Sequence, residues 1–234
     1  MRHLKGFTLA LAAVALTSAF NPASAQETDR SVADGGIMVE GWKGAVDARA
    51  AANGQSVKDA KLMKMGSGMH VITGPAVTYW NPENKATGDY TVKATFNEME
   101  YMSLNDHPHP YGIMIAGNDL GTPNQSYLYC AAYGNGSFIV RGFGPEAFQV
   151  NGRRGETNTA VNKAAGKGEP VTQEIAVSVK GDKVECAING TVVGSYSKAD
   201  LVADGKLKST DGVYGIRFAH NTEAMVTGFE MTKP

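Results

Sequence analysis

Charge of one sign is missing from this sequence. Its 22 basic and 23 acidic side chains nearly cancel, leaving a net charge of −1, and the two signs are mixed along the chain. A protein that holds nucleic acid neutralises phosphates with a basic stripe. No such stripe is present, so nucleic acid is not an expected partner. Beyond the first 25 residues there is also no apolar run long enough to cross the ~30 Å of a bilayer's hydrocarbon, so membrane insertion is not expected. Helix-forming periodicity is scarce, and no internal repeat or low-complexity linker interrupts the chain. Cysteine is limited to Cys130 and Cys186. Both lie in apolar, strand-like segments, and the pair is compatible with one disulfide or with two buried thiols.

The amino terminus has a different character. Met1 to Lys5 is a short basic head, Phe7 to Ala15 is almost unbroken apolar sequence, and Ala23-Ser24-Ala25 is a small-x-small site before the polar Gln26-Glu27. That order is the pattern of a signal peptide. Residues 1–25 are therefore read as a leader removed on export. Residues 26–234 are read as one domain, free in a periplasm or outside the cell.

Glycine is abundant, at 28 residues, and short apolar runs are separated by Gly and Asn. Strands follow one another. Met69 to Gly74 and Val77 to Trp80 are closed by Gly74-Pro75 and Asn81-Pro82. Gly88 to Asn97 alternates, with Tyr90, Val92, Ala94 and Phe96 on one face, the mark of a half-buried strand. Tyr111 to Gly117 is a short apolar run. Tyr127 to Tyr133 pairs with Ser137 to Arg141 across Gly134-Asn135-Gly136. Gly142 to Gly168 is a long polar excursion. Ile175 to Lys180, Lys183 to Asn189 and Thr191 to Tyr196 are joined by Gly181-Asp182 and by the hairpin signal Asn189-Gly190. Val213 to His220 and Ala224 to Thr232 close the chain. Val46 to Gly54 is ambiguous and is a candidate for a short helical turn. So many short strands in one domain predict an all-β, two-sheet antiparallel jelly-roll sandwich.

A resemblance supports this. Glu174 to Val193, Asp211 to His220 and Val226 to Met231 look like the closing strands of the concanavalin A-like lectin and glucanase jelly rolls. They are similar in particular to laminin-G-like and bacterial 3-keto-disaccharide hydrolase-type domains. Gly88 to Val92, Tyr111 to Ile115 and Tyr127 to Cys130 fit the same pattern. The likeness runs from about Tyr90 to Met231 and is one of strands and turns, so it bears on fold more than on activity.

The resemblance implies that one sheet cradles a saccharide. On the strand from Tyr127 to Tyr133, Leu128, Cys130 and Ala132 share the core side. Tyr127, Tyr129 and Tyr133 point the other way and are candidates to grip a sugar. Arg141 on the pairing strand, Arg217 near the end of the chain and Trp80 beside its Pro turn are candidates to sit with them. An alternative is that the tyrosines pack beneath the Gly142–Gly168 excursion. No catalytic signature is intact. Retaining glucanases of this superfamily place two carboxyl groups about 5–5.5 Å apart from one strand. Here Glu98 and Glu100 flank Met99 without a third acid, and they read as two solvated acids at a strand end.

No cofactor is required by these readings. Calcium is possible at Asn118-Asp119, an oxygen-bearing loop of the kind hard cations use. Asp106, His107 and His109, in a loop stiffened by Pro108 and Pro110, have the chemistry of zinc or copper ligands. After removal of the leader, only His70 and His220 remain to complete a set. The expected function is an exported carbohydrate-binding protein holding a glycan or oligosaccharide on its aromatic-bearing sheet. The alternatives are a glycoside hydrolase or lyase of the 3-keto-glycoside type and a non-catalytic envelope interaction or adhesion domain.

Overall fold

A computed structural model of the chain describes residues 28–234. The predicted leader lies outside the described residues. Two sheets pack face to face. The first has the spatial order β1 (Gly36–Ile37), β3 (Ala60–Met65), β4 (Gly68–Thr73), β16 (Glu223–Thr232), β6 (Tyr90–Glu98), β12 (Val171–Lys180), β13 (Lys183–Ile188), β14 (Thr191–Ser197). The second runs β10 (Ala147–Gln149), β9 (Ser137–Phe143), β8 (Ser126–Tyr133), β7 (Tyr111–Asn118), β15 (Gly212–Phe218), β5 (Val77–Ala86), β2 (Lys43–Val46), with β11 (Glu156–Thr157) on β9. Pairing is antiparallel except for the short parallel pair β1–β3. This is the all-β jelly-roll sandwich that the sequence predicts.

The core lies between the sheets. From the first come Val92, Phe96, Ile175 and Val177, and from the second Ile113, Leu128, Ile216 and Phe218, all buried in one cluster. Phe96 meets Tyr111 and Phe218 across the gap, with ring centroids 5.6 and 5.9 Å apart. Each such side chain stabilises the fold by roughly 1.5–3 kcal/mol on full burial. The predicted inward row of β6 is the observed one. Cys130 of β8 and Cys186 of β13 form a disulfide with Cα atoms 6.0 Å apart, tying the two sheets together.

The hairpins form as read. β8 pairs β9 with Tyr133 opposite Ser137, and β12, β13 and β14 follow in order. Asn189 and Gly190 both have positive φ, 51° and 79°, the conformation a tight two-residue turn demands. The ambiguous segment holds α1 (Ala48–Ala52).

Two expectations are corrected. Asn81-Pro82 does not close a strand: β5 continues to Ala86. Pro82, which has no N–H to give a ladder, falls where the pairing with β15 jumps from Trp80 to Lys85. Glu98 is not a solvated acid. It is the last residue of β6, on the inward face, and only 5 % exposed, while Glu100 stands exposed in the turn that follows. The two therefore do not share a strand face.

Candidate functional site

β7 and β8 are buried along nearly their whole lengths, on both faces. On the inner face that is the core. On the outer face it is a second cluster, Trp80, Met114, Tyr127, Tyr129, Ala131 and Ile139, with Phe143 and Tyr133 packed against it. Strand register assembles it. Phe143 lies opposite Tyr127 and Arg141 opposite Tyr129, while Arg217 lies opposite both Thr78 of β5 and Gly112 of β7. The structure thus brings Tyr127, Tyr129, Tyr133, Arg141, Arg217 and Trp80 onto one sheet face.

Arg217 organises that face. Nη1 donates to Thr78 Oγ1 at 2.9 Å and to Tyr127 Oη at 3.3 Å, and Nη2 donates to Asp47 Oδ2 at 2.7 Å. Its guanidinium carbon lies 5.2 Å from the Tyr129 ring centroid and 4.9 Å from that of Phe143, within cation–π range. A Cβ at Gly112, opposite Arg217 on β7, would come 2.0 Å from the Cys130 carbonyl, so β7 and β8 approach closely there. Burial by itself would lower the Arg217 pKa. The Asp47 carboxylate and the Tyr127 and Tyr129 hydroxyls together outweigh it and hold the value well above the ordinary range. Burial also pushes the Tyr127 hydroxyl up to about 12, against the pull of Arg217. Asp47 occupies the N-cap position of α1 but makes no side-chain cap hydrogen bond there; its carboxylate is turned to Arg217 instead.

Tyr127 and Tyr129 are only 2 % and 4 % exposed. Phe143 stacks on both, with centroids 4.8 and 6.1 Å away, so these rings form the floor of the site rather than its open surface. Trp80 is likewise buried, with Gly121 of the β7–β8 loop against its ring. Arg141 is half-buried and donates from Nη2 and Nε to Gln149, at 2.8 and 3.0 Å, when the amide carbonyl is turned toward it.

Around this face are three clefts that share Asp47. The largest, 750 Å³, is walled by β2 and α1 on one side and by the 121–125 and 143–147 loops on the other, with Gln55, Gln125, Glu146 and Phe143 at its surface. A second, of 310 Å³, runs between α1 and His220. The third, of 270 Å³, has Tyr129, Tyr133, Arg141 and Arg217 on its floor and His107, His109 and His220 at its end. A volume of 750 Å³ is of the size that small ligands occupy.

Sequence reasoning missed Asp47, Thr78 and Phe143. The Gly134-Asn135-Gly136 turn fixes the β8–β9 register and was signal enough to set Phe143 beside Tyr127. Asp47 meets Arg217 across 170 residues of chain, and no local pattern announces that. The loop residues singled out for calcium are engaged within the protein. Asn118 Nδ2 donates to the carbonyls of Ala116 and Asp211, each at 3.0 Å, and the Asp119 carboxylate pairs with Lys208.

No protein-family model matches the sequence, and no curated protein matches it. Solved structures do match. The carbohydrate-binding module CBM66 from Bacillus subtilis superposes with a TM-score of 0.52 at 13% identity, over 85% of this chain and 99% of that one. A Bacillus subtilis protein of unknown function with a galectin-like fold gives a TM-score of 0.54 at 12% identity, over 82% of this chain and 89% of that one. At such identities the likeness is one of fold: the chain has the concanavalin A-like two-sheet sandwich.

Proposed function

We propose that the protein is exported and binds a glycan in the cleft on the outer face of the second sheet. The observation that carries this reading is the cleft's construction. The ring of Phe143, which stacks on the buried Tyr127, lies in its wall beside the amides of Gln55 and Gln125 and the carboxylates of Asp47 and Glu146. A pyranose needs such a combination, an apolar surface for its C–H face and planar polar groups for its hydroxyls. The fold likeness to a carbohydrate-binding module supports the same reading. Export is supported by the leader-like residues 1–25 and agrees with a disulfide between Cys130 and Cys186. Among the described residues no helix is long and apolar enough to cross a membrane.

Binding without turnover is favoured over glycoside cleavage because Glu98 points into the sandwich and Glu100 away from it, leaving the glucanase pair unformed. Calcium at Asn118 and Asp119 would have to displace the Lys208 ammonium from Asp119. A glycan-array screen of residues 26–234, with and without EDTA, followed by product analysis of each hit, tests the reading. The expected outcome is a hit that survives EDTA and yields the sugar intact. Cleaved product would turn the assignment to an enzyme. No hit on a broad array would overturn glycan binding.

A further inference from the structure

At the end of the 270 Å³ cleft the β6–β7 loop and the β15–β16 turn meet. The loop brings His107 and His109, separated by Pro108, and the turn brings His220. One ligand nitrogen from each of the three lies within 4.8 Å of the others. His107 and His109 face each other Nε2 to Nε2 at 3.0 Å. Two nitrogens bound to one tetrahedral zinc, at Zn–N distances of about 2.0–2.1 Å, stand roughly 3.3 Å apart. These two therefore already have nearly the spacing that a shared ion requires.

The other side of each ring is set as well. The Nδ1 of His107 meets the Asp106 carboxylate, that of His109 meets the His220 carbonyl at 2.6 Å, and that of His220 meets the Asp29 carboxylate at 2.9 Å. A carbonyl or carboxylate only accepts, so each Nδ1 is a protonated nitrogen, and the Nε2–Nε2 contact between His107 and His109 then holds one shared proton, which a metal ion would displace. Metal-ligating histidines are oriented in this way by a carboxylate or carbonyl behind the ring. The two loops are also fastened to one another. Ala219 N donates to Pro110 O at 2.9 Å, and Asn105 Nδ2 donates to Asn221 O at 3.0 Å. The histidines therefore meet in a braced frame.

We infer that His107, His109 and His220 bind one divalent transition-metal ion of the zinc class. Three imidazoles select zinc, copper or nickel over calcium and magnesium, which prefer oxygen. Three protein ligands on a four-coordinate ion leave one position for water or another ligand. The cleft in front of the cluster, with Tyr133 and Arg141, is where that position would open. The site goes beyond the glycan reading and does not depend on it.

The test uses the full mature chain, stripped with EDTA and titrated with zinc against a chromogenic chelator, with cobalt as a spectroscopic substitute. The expected result is one zinc per chain, not displaced by a large excess of calcium. His107→Ala, His109→Ala and His220→Ala should each weaken binding by roughly tenfold or more. His70→Ala, at a histidine paired with Glu223 elsewhere in the fold, should leave it unchanged. His109 is buried, and its variant could fail to fold. His107 has a side chain 59% exposed, so its variant decides the matter. Absence of stoichiometric binding, or unchanged affinity in His107→Ala, would overturn the inference. Neither result would touch the glycan screen.

Discussion

Arg217 shows how one residue can organise a sheet face from beneath it. All of its described partners are protein groups: Asp47, Thr78, Tyr127 and the rings of Tyr129 and Phe143. A buried ion pair is weak evidence for stability, yet breaking one by truncation leaves its partner uncompensated, at a cost of about 3–5 kcal/mol. Asp47 is one-third exposed, so water softens the loss and the lower end applies. Arg217→Ala should therefore destabilise the fold by about 3 kcal/mol in urea titration, and Arg217→Met, which keeps packing over Tyr129, by less. Equal losses in the two variants would show that charge and hydrogen bonding rather than packing hold the residue.

Glu98 supplies a second test at this scale. Burial raises its pKa from 4.5 to about 7, with the nearby Tyr111 hydroxyl and Met102 amide offsetting part of that effect. Neither Glu98 Oε2 nor the Tyr111 hydroxyl closes a hydrogen bond of normal geometry, so desolvation wins. The folded protein thus holds a proton here that the unfolded chain releases earlier. Stability from this group is complete below pH 4.5 and is lost as pH rises through about 7. The loss at alkaline pH is on the order of 3 kcal/mol. Glu98→Gln should flatten that decline in denaturation curves measured from pH 5 to 8. A variant with the same pH dependence as the parent would contradict the assignment. The sequence did not show this burial: Glu98 continues the inward row of β6, but its neighbours Met99 and Glu100 make the segment read as a polar strand end.

At the scale of elements, local turn chemistry made most of the sandwich legible. Asn189-Gly190, Gly181-Asp182 and Gly134-Asn135-Gly136 each fix a hairpin, and each hairpin then fixes which side chains share a face. Where the pattern came from contacts distant in the chain, reading stopped. β7 and β8 show little polar alternation because both of their faces are covered, so periodicity could mark Leu128 and Tyr127 as opposite but not say that both are buried. Pro82 looked like a strand end because the irregular pairing that accommodates it is with β15, more than a hundred residues away. The disulfide was equally open, since facing sheets, not spacing, bring Cys130 to Cys186. It closes a separation of 56 residues, a constraint worth roughly 4 kcal/mol on a chain-entropy basis. Reduction of the folded protein should lower its melting temperature by on the order of 10 °C. A change of a degree or less would mean that the sandwich does not depend on the cross-link.

For the whole molecule, the sheet face that the sequence picked out carries the 270 Å³ cleft over Tyr129, Tyr133, Arg141 and Arg217, while the largest cleft stands beside it and shares Asp47 with it. The groups able to touch a ligand come from β2, α1 and two loops, elements whose positions no local signal gives. The account therefore predicts a division of labour: floor residues matter for stability and wall residues for binding. The most direct test takes the best glycan from the array and measures its affinity by calorimetry for the parent and for Gln125→Ala, Glu146→Ala and Phe143→Ala. Lys93→Ala, on the opposite sheet where Lys93 pairs with Glu230, is the control. The prediction is a loss of about tenfold or more, near 1.4 kcal/mol, in at least two of the three cleft variants, with the control unchanged. Unaltered affinity in all three cleft variants, or a loss confined to the control, would contradict glycan binding on this face.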